Sequence, residues 1–138
     1  MGLLKSIKVI SLGSMSMNDL VSDYVARINN AVRAGHTEVV VLKNNLIMQL
    51  TKKLVRLKFV DSFIEEGYYL RIKLLPKSIA GIKRLSKPGQ RQYASYKNLP
   101  RVVGGVGFNL LTTSRGIKTH IEAMEEKIGG ELLLQIYR

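Results

Sequence analysis

The stretch Gly104–Thr119 reads GGVGFNLLTTSRGIKT, and the second half of the chain is best understood outward from it. After the glycines comes an apolar run, Phe108 to Leu111, which is long enough for one buried strand. Three hydroxyl residues follow and lead to a cation and a glycine: Thr112, Thr113, Ser114, Arg115 and Gly116. Hydroxyls exchange hydrogen bonds with phosphate, ribose and base edges, arginine binds phosphate or guanine through paired donors, and Gly116 permits a tight turn with positive φ. The stretch taken alone is equally typical of a solvated turn between a strand and a helix.

The composition limits the class of protein. The 138 residues suffice for one domain or two small ones, and the 46% hydrophobic content excludes wholesale disorder. There are no cysteines, which excludes disulfides, thiolate metal sites and cysteine nucleophiles. No apolar run approaches the length of about 18 residues that a membrane span needs, so we expect no transmembrane helix.

Charge is the most informative part of the composition. Lys and Arg number 22 against 10 Asp and Glu, a formal net charge of +12. No carboxylate occurs between Glu66 and Glu122, an interval that holds eleven Lys and Arg. An acid-free basic block favours a polyanionic partner, with nucleic acid first and an anionic membrane second, although a merely basic surface is the plainer alternative.

The first half of the chain predicts a helix pair on a small sheet. Apolar residues at helical spacing, strand-forming runs and a Glu-Gly turn predict the order α-β-α-β-β over Met17–Ala34, Thr37–Leu42, Asn44–Lys58, Val60–Glu65 and Tyr68–Leu75. In the last strand Tyr68, Leu70, Ile72 and Leu74 alternate with polar residues and should form one buried face. Residues 1–15 fit an ordered strand, a short tail or a weak targeting remnant equally well.

The sequence of the second half predicts shorter strands and fewer helices than the first. Pro76–Gly81 reads as a linker, so we expect subdomains at 1–76 and 77–138. Beyond it, short strands are predicted at Ile82–Ser86 and Gln90–Tyr96 around a Pro-Gly turn, and a last strand at Glu131–Tyr137. Thr119 and Glu122 form a capping box for one short helix that ends near Ile128. The predicted fold class is therefore α+β, with two small α/β subdomains, the second mostly β with one short helix.

An enzyme is a weak interpretation. The glycines at 104–107 lack the spacing and the Gly-Lys-Ser/Thr ending of a phosphate loop. His36 and His120 lie in different halves and read as surface groups, and Ser114 has no His and Asp pattern beside it. Glu122, Glu125 and Glu126 read as a solvated helix face. We therefore predict no catalytic residues, no metal site, no cofactor and no small-molecule substrate.

Binding to RNA fits these residues better. Tyr93 and Tyr96 can stack on exposed bases, and we expect one of the two rings to be buried. Short polar groups at the end of a strand suit the shallow minor groove of helical RNA. The predicted RNA-binding residues share a basic, hydroxyl, aromatic or glycine character: Lys87, Arg91, Tyr93, Thr112, Thr113, Ser114, Arg115, Gly116 and Lys118.

The order and spacing of several motifs resemble the small-subunit ribosomal protein eight family of bacterial type. Its S-K-P-G-x-R-x-Y is matched by Ser86, Lys87, Pro88, Gly89, Arg91 and Tyr93. Its P-R-V-x-x-G-x-G is matched by Pro100, Arg101, Val102, Gly105 and Gly107, and its S-T-S-K-G by Thr112 to Gly116. Its G-G-E is matched by Gly129, Gly130 and Glu131, and its first helix by Asp19, Asp23, Arg27, Ile28, Asn30, Ala31, Ala34, Gly35 and His36. The resemblance covers about Met17 to the end, with Thr112 in place of serine, Arg115 in place of lysine, and Asn109 where a small apolar residue is usual.

The resemblance implies a structural constituent of the small ribosomal subunit. It implies two α/β subdomains and direct binding to a helical region in the central domain of small-subunit ribosomal RNA, whose assembly the protein supports. It implies RNA contacts at Thr112 to Gly116 and Tyr93, and protein contacts with small-subunit ribosomal proteins five and twelve. The alternatives are a free RNA-binding translational regulator and a small basic enzyme that acts on nucleic acid. High aliphatic content and divergence from the bacterial pattern favour an organelle matrix, of the mitochondrion above all, over bacterial cytoplasm.

Overall fold

A computed structural model describes residues 17–75, 77–87, 89–98 and 107–137 of the chain, with side chains from Leu20 onward. The chain divides into two compact units, Met1–Pro76 and Lys77–Arg138. Among the described residues no helix has both the length and the apolar character needed to cross a membrane.

The first unit has a helix pair against a three-stranded antiparallel sheet. Its elements in chain order are α1 (Met17–Ala34), β1 (Glu38–Leu42), α2 (Asn45–Arg56), β2 (Val60–Glu66) and β3 (Tyr69–Leu74). The sheet order is β1-β3-β2, with both pairings antiparallel. The predicted order α-β-α-β-β is therefore confirmed, with bounds shifted by one or two residues.

The core of the first unit forms where the apolar stripes of both helices meet the sheet. Its fully buried members include Val21, Ile28, Ile47, Leu50, Leu54, Leu70 and Ile72. Asn44 caps helix α2: its side chain accepts the Ile47 N–H over 2.7 Å and satisfies one of the free donors of the first turn. Tyr24 of α1 and Thr51 of α2 are also buried, and their hydroxyls lie 2.9 Å apart.

The hairpin of the first unit corrects one expectation. Leu70, Ile72 and Leu74 are buried as predicted, but Tyr68 is 70% exposed. The turn consists of Gly67 and Tyr68, and the strand begins one residue later than predicted. Tyr68 therefore lies outside the alternating strand geometry that would have turned its ring inward.

The second unit is mostly β with one short helix, as predicted. Its elements are β4 (Gly81–Arg84), β5 (Tyr93–Ala94), β6 (Gly107–Thr113), β7 (Gly116–Thr119), α3 (His120–Glu126) and β8 (Gly130–Tyr137). The sheet order is β4-β8-β6-β7, and β5 also pairs with β8. The central strand β8 carries the core residues Leu132, Leu133, Leu134 and Ile136. In the register with β6, Leu134 pairs with Leu110 and Leu132 pairs with Leu111.

One strand prediction in the second unit is wrong in detail, and one strand of the sheet was not predicted. Gln90–Tyr96 does not return along β4: only Tyr93 and Ala94 are strand, and they pair with β8. The chain also does not pass from the hydroxyl residues straight into a helix, because Gly116–Thr119 forms β7 and pairs back onto β6. Helix α3 then begins at the predicted capping box of Thr119 and Glu122.

Candidate nucleic-acid interface

The start of strand β8 is the point at which the candidate site is assembled. Gly129 and Gly130 precede the buried part of the strand, and neighbouring backbone crowds both of them. A Cβ atom on Gly130 would overlap the carbonyl oxygen of Thr112, and one on Gly129 would overlap that of Ala94. The two glycines therefore let the ends of β5 and β6 close in on either side of β8, which is the physical reason for glycine at both positions.

Tyr93 and Thr112 flank Glu131 in one row across the sheet. Tyr93 pairs with Glu131 on one side of β8, and Thr112 pairs with Glu131 on the other. Since neighbouring strands lie about 4.8 Å apart, the backbones of Tyr93 and Thr112 lie roughly 10 Å apart. Tyr93 is 67% exposed, so its ring is free to stack on a base. Tyr96 is half-buried, with Lys97 Nζ 5.8 Å from the ring centroid.

The loop between β4 and β5 presents two predicted cations. Lys87 and Arg91 are both exposed. The base of the loop is held by Ser86, which is 1% exposed and whose Oγ accepts the Gln92 N–H over 2.9 Å. Within the loop the Gln90 N–H donates to the Lys87 carbonyl oxygen over 2.9 Å, and the Lys87 N–H donates to the Gln90 carbonyl over 3.0 Å. The two bonds between Lys87 and Gln90 confirm the predicted turn around Gly89.

The loop is also attached to the start of β8. The Leu132 N–H donates to the Gln92 carbonyl over 2.8 Å, and the Ser86 N–H donates to the Leu132 carbonyl over 3.1 Å. Both ends of the loop are therefore fixed one residue from Glu131. The cations Lys87 and Arg91 and the ring of Tyr93 consequently belong to the same end of the sheet.

The β6–β7 hairpin presents the hydroxyl residues. Ser114 and Arg115 form its two-residue turn and are exposed. Gly116 has a φ of +98°, which a residue with a side chain rarely adopts, so the positive φ expected there is confirmed. The Thr113 hydroxyl donates to the Gly116 carbonyl over 2.8 Å and accepts the Arg115 N–H over 3.1 Å. Thr113 thus stabilises the turn, and Ser114 is the hydroxyl that solvent reaches most freely.

Two buried oxygen atoms belong to paired residues of β6 and β8. Thr112 Oγ1 and Glu131 Oε2 are buried and have no hydrogen-bond partner among the described residues. Thr112 and Glu131 are direct neighbours in the β6–β8 register. The Thr112 hydroxyl is therefore not presented to a ligand in this conformation, and its predicted RNA contact requires its side chain to turn outward.

A carboxylate holds the two cations of the hairpin. Glu126 Oε1 lies 3.2 Å from Arg115 Nη1, and Glu126 Oε2 lies 3.2 Å from Lys118 Nζ. Hydrogen bonds from Lys118 and from Arg115 hold the pKa of Glu126 below its ordinary value. Of the three carboxylates expected on a solvated face, Glu125 is exposed, Glu126 is partly exposed and ion-paired, and Glu122 closes the capping box that the sequence predicts.

A second polar cluster corrects the interpretation of His120 and explains Asn109. His120 is half-buried, its Nδ1 accepts the Asn109 N–H over 3.2 Å, and its partial burial lowers its pKa. Asn109 is fully buried, and its side-chain oxygen accepts the Gln135 amide over 2.8 Å across paired strands. The polar residue in β6 is therefore satisfied by a cross-strand partner, which no local sequence pattern indicates.

All nine predicted RNA-binding residues lie in the second unit. The start of β8 brings together the loop of Lys87 and Arg91, the ring of Tyr93 and the hairpin of Thr112 to Lys118. Ser86 and Glu126 were not among the predicted residues. No group of three or more His, Asp or Glu is placed to hold a metal ion in the part of the chain that the structure describes.

Comparison with known proteins decides the family. The family model described as ribosomal protein S8 matches residues 19–137. The chain belongs to the ribosomal protein S8 family. The small ribosomal subunit protein uS8 of Bacteroides fragilis is 39% identical over 131 residues, which cover 88% of this chain and 100% of that protein. The uS8 protein of Synechococcus sp. (strain JA-3-3Ab) is 38% identical over 130 residues, covering 87% of this chain and 97% of that protein.

Membership in the S8 family settles the class of protein. The family is a structural component of the ribosome, so the chain is a ribosomal protein and not an enzyme. A third relative, uS8 of Azobacteroides pseudotrichonymphae, is 39% identical over 131 residues. These relatives are bacterial, so the bacterial type of the resemblance is confirmed. They give no support to the mitochondrial assignment.

Proposed function

We propose that this S8 protein binds small-subunit ribosomal RNA directly, through the end of the second unit's sheet where β8 begins. The RNA partner is a helical region of the central domain, and binding there supports assembly of that domain. The observation that carries the proposal is the convergence of two exposed cations, an exposed tyrosine and a hydroxyl turn on Gly130 and Glu131. Such a surface can contact phosphates, stack on a base and contact sugars at a single groove of the RNA.

The residues divide into three roles. Lys87 and Arg91 on the loop between β4 and β5 neutralise phosphates, and Arg115 and Lys118 do the same from the β6–β7 hairpin. Tyr93 stacks on a base or packs on a ribose. Ser114 contacts sugars or base edges in the minor groove, and Gly116 allows the RNA to approach closely. Thr113 holds the turn that presents Ser114, and Thr112 contacts RNA when its side chain turns outward.

We infer the protein partners and the location from the family. Contacts with small-subunit ribosomal proteins five and twelve are the expected protein interfaces. The first unit, with an exposed Ile64 and Tyr68, offers apolar surface for such contacts. The location is the small subunit of a bacterial-type ribosome.

Sedimentation tests the proposal. A tagged copy is expressed in the source cell, and its amount per small subunit is measured across a gradient at rising salt. A ribosomal constituent should co-sediment at about one copy per subunit and stay bound when messenger RNA is removed by nuclease. A copy found mostly free, or bound only through messenger RNA, would favour the translational regulator and contradict the proposal.

A further inference from the structure

The carboxylate of Glu126 uses both of its oxygens on predicted phosphate-binding cations. Oε1 pairs with Arg115 in the hairpin turn, and Oε2 pairs with Lys118 on β7, each at 3.2 Å. Glu126 is the last residue of α3, so a single short helix fixes the carboxylate opposite two points of the hairpin. The three residues form a cluster that the sequence interval without acids does not reveal.

The pairing leaves most donors of both cations unused. Arg115 has five N–H donors and Lys118 has three, and each gives one to Glu126. The Arg115 side chain is 63% exposed, against 29% for Glu126. A phosphate can therefore reach Arg115 while the ion pair with Glu126 remains in place.

We propose that Glu126 is a positioning residue that holds Arg115 and Lys118 ready for the cognate RNA and weakens their attraction for other RNA. The inference rests on the proposed function, because it concerns how that surface selects its RNA. It adds a carboxylate to a site that charge patterning describes as purely basic.

Two opposing effects of the carboxylate give the selection. Glu126 cancels about one of the two positive charges, and affinity for any RNA falls with each phosphate contact that is weakened. It also restricts two long side chains whose freedom would otherwise be lost on binding. An RNA that fits the fixed cations gains from this restriction and offsets the lost charge. An RNA that does not fit is affected only by the cancelled charge and binds more weakly.

The near-isosteric variant E126Q separates the two RNA classes. A glutamine keeps the size but cannot attract both cations as a carboxylate does. We expect E126Q to bind a scrambled duplex about three- to ten-fold more tightly, with a log–log salt slope steeper by about one unit. Affinity for the isolated ribosomal RNA helix should change much less, so the ratio of the two affinities should fall at least three-fold.

Glu125 supplies the matched control. It lies on the same helix, is exposed, and has no ion pair within the described residues. E125Q removes the same charge, so it should strengthen binding to both RNAs slightly and leave their ratio unchanged. In a background of Arg115→Met and Lys118→Met, E126Q should act no more strongly than E125Q.

The outcomes distinguish the inference from the function on which it rests. A wild-type protein with no preference for the ribosomal RNA helix would overturn the proposed function and this inference with it. A clear wild-type preference, together with equal ratios for E126Q and E125Q, would overturn the inference alone. If E126Q melts below the assay temperature, E126D takes its place. E126D keeps the charge but shortens the reach of the carboxylate, and the ratio of cognate to scrambled affinity must fall for this variant too.

Discussion

The hydroxyl of Thr113 closes the β6–β7 hairpin on Gly116, to whose carbonyl oxygen it donates over 2.8 Å. Its only donor is thereby used, and one of its acceptor positions is taken by the Arg115 N–H. Ser114, one residue on, is exposed, and no hydrogen bond of its hydroxyl is found among the described residues. The two neighbouring hydroxyls therefore have different roles: that of Thr113 holds the turn, and that of Ser114 is available to a ligand.

The two hydroxyls should separate in a stability and binding assay. Thr113→Val removes the turn bonds, so it should lower the free energy of unfolding by about 1 kcal/mol and weaken cognate and scrambled RNA alike. Ser114→Ala should leave the melting temperature unchanged and weaken cognate RNA alone, by about ten-fold if its partner is left buried and unpaired. Thr113→Ser restores the hydroxyl and is the control. A specificity loss confined to Thr113→Val would reverse these assignments.

Ser86 should affect RNA binding although it is too buried to touch RNA. Ser86→Ala removes the bond that closes the loop of Lys87 and Arg91. The two cations then lose fixed positions, and we expect cognate affinity to fall about three- to ten-fold, consistent with the loss of one net hydrogen bond. Ser95→Ala, at an exposed serine of the same unit, is the comparison. Equal affinities for the two variants would show that the loop needs no such closure.

The Tyr24–Thr51 pair predicts a contribution to stability that depends on pH. Thr51 Oγ1 donates to the Ile47 carbonyl, so the Tyr24 hydroxyl must be the donor in the bond between them. Below pH 10, Tyr24→Phe should cost about 1 kcal/mol. Burial raises the pKa of Tyr24 above its ordinary value of 10.0, so this contribution is present below pH 10 and is lost as pH rises beyond it.

Urea unfolding of both proteins between pH 8 and 11 measures this effect, with RNA binding as the check that the site is untouched. The wild type should lose stability through Tyr24 as the pH rises above 10, while the phenylalanine variant should not. The difference between the two free energies of unfolding should therefore shrink. A constant difference across the range would mean that Tyr24 is not held neutral by burial.

Salt dependence should report the phosphate contacts. With about four to six phosphates neutralised, the logarithm of the affinity for the ribosomal RNA helix should fall with the logarithm of salt with a slope of about −3 to −5. Lys87→Ala should flatten the slope by about one unit for cognate and scrambled RNA alike. A slope near zero for the folded protein would exclude an interface built on phosphate contacts.

Much of the fold was predictable because it depends on local patterns. Helical spacing of apolar residues predicts α1 and α2, and the capping box at Thr119 predicts the start of α3. What failed depends on pairing between distant residues. Gln90–Tyr96 has the composition of a strand, but β4 and β5 both pair with β8, which limits β5 to Tyr93 and Ala94.

The candidate site shows the same division. The cations, tyrosine and hydroxyls were predictable by residue type. The role of Glu126 was not predictable, because a stretch of sequence without acids can still have a carboxylate beside it in the fold. Helix α3 places the Glu126 carboxylate next to Arg115 and Lys118. Arg71 is likewise paired with Glu38 and Glu66, two residues that precede the basic block or lie at its edge. Ser86 looks like any turn serine until its bond to Gln92 is seen.

Two tyrosines of nearly equal exposure allow the most direct test of where RNA binds. Tyr93, on β5 and paired with Glu131 near the start of β8, is 67% exposed, and Tyr68, in the hairpin turn of the first unit, is 70% exposed. Each is changed to alanine in the full chain, and the dissociation constant for the isolated ribosomal RNA helix is measured at fixed salt. Because stacking contributes about 1–3 kcal/mol per base, Tyr93→Ala should weaken binding at least about five-fold. Tyr68→Ala should change it by less than two-fold, and the reverse order, or equal losses, would contradict an RNA site at the start of β8.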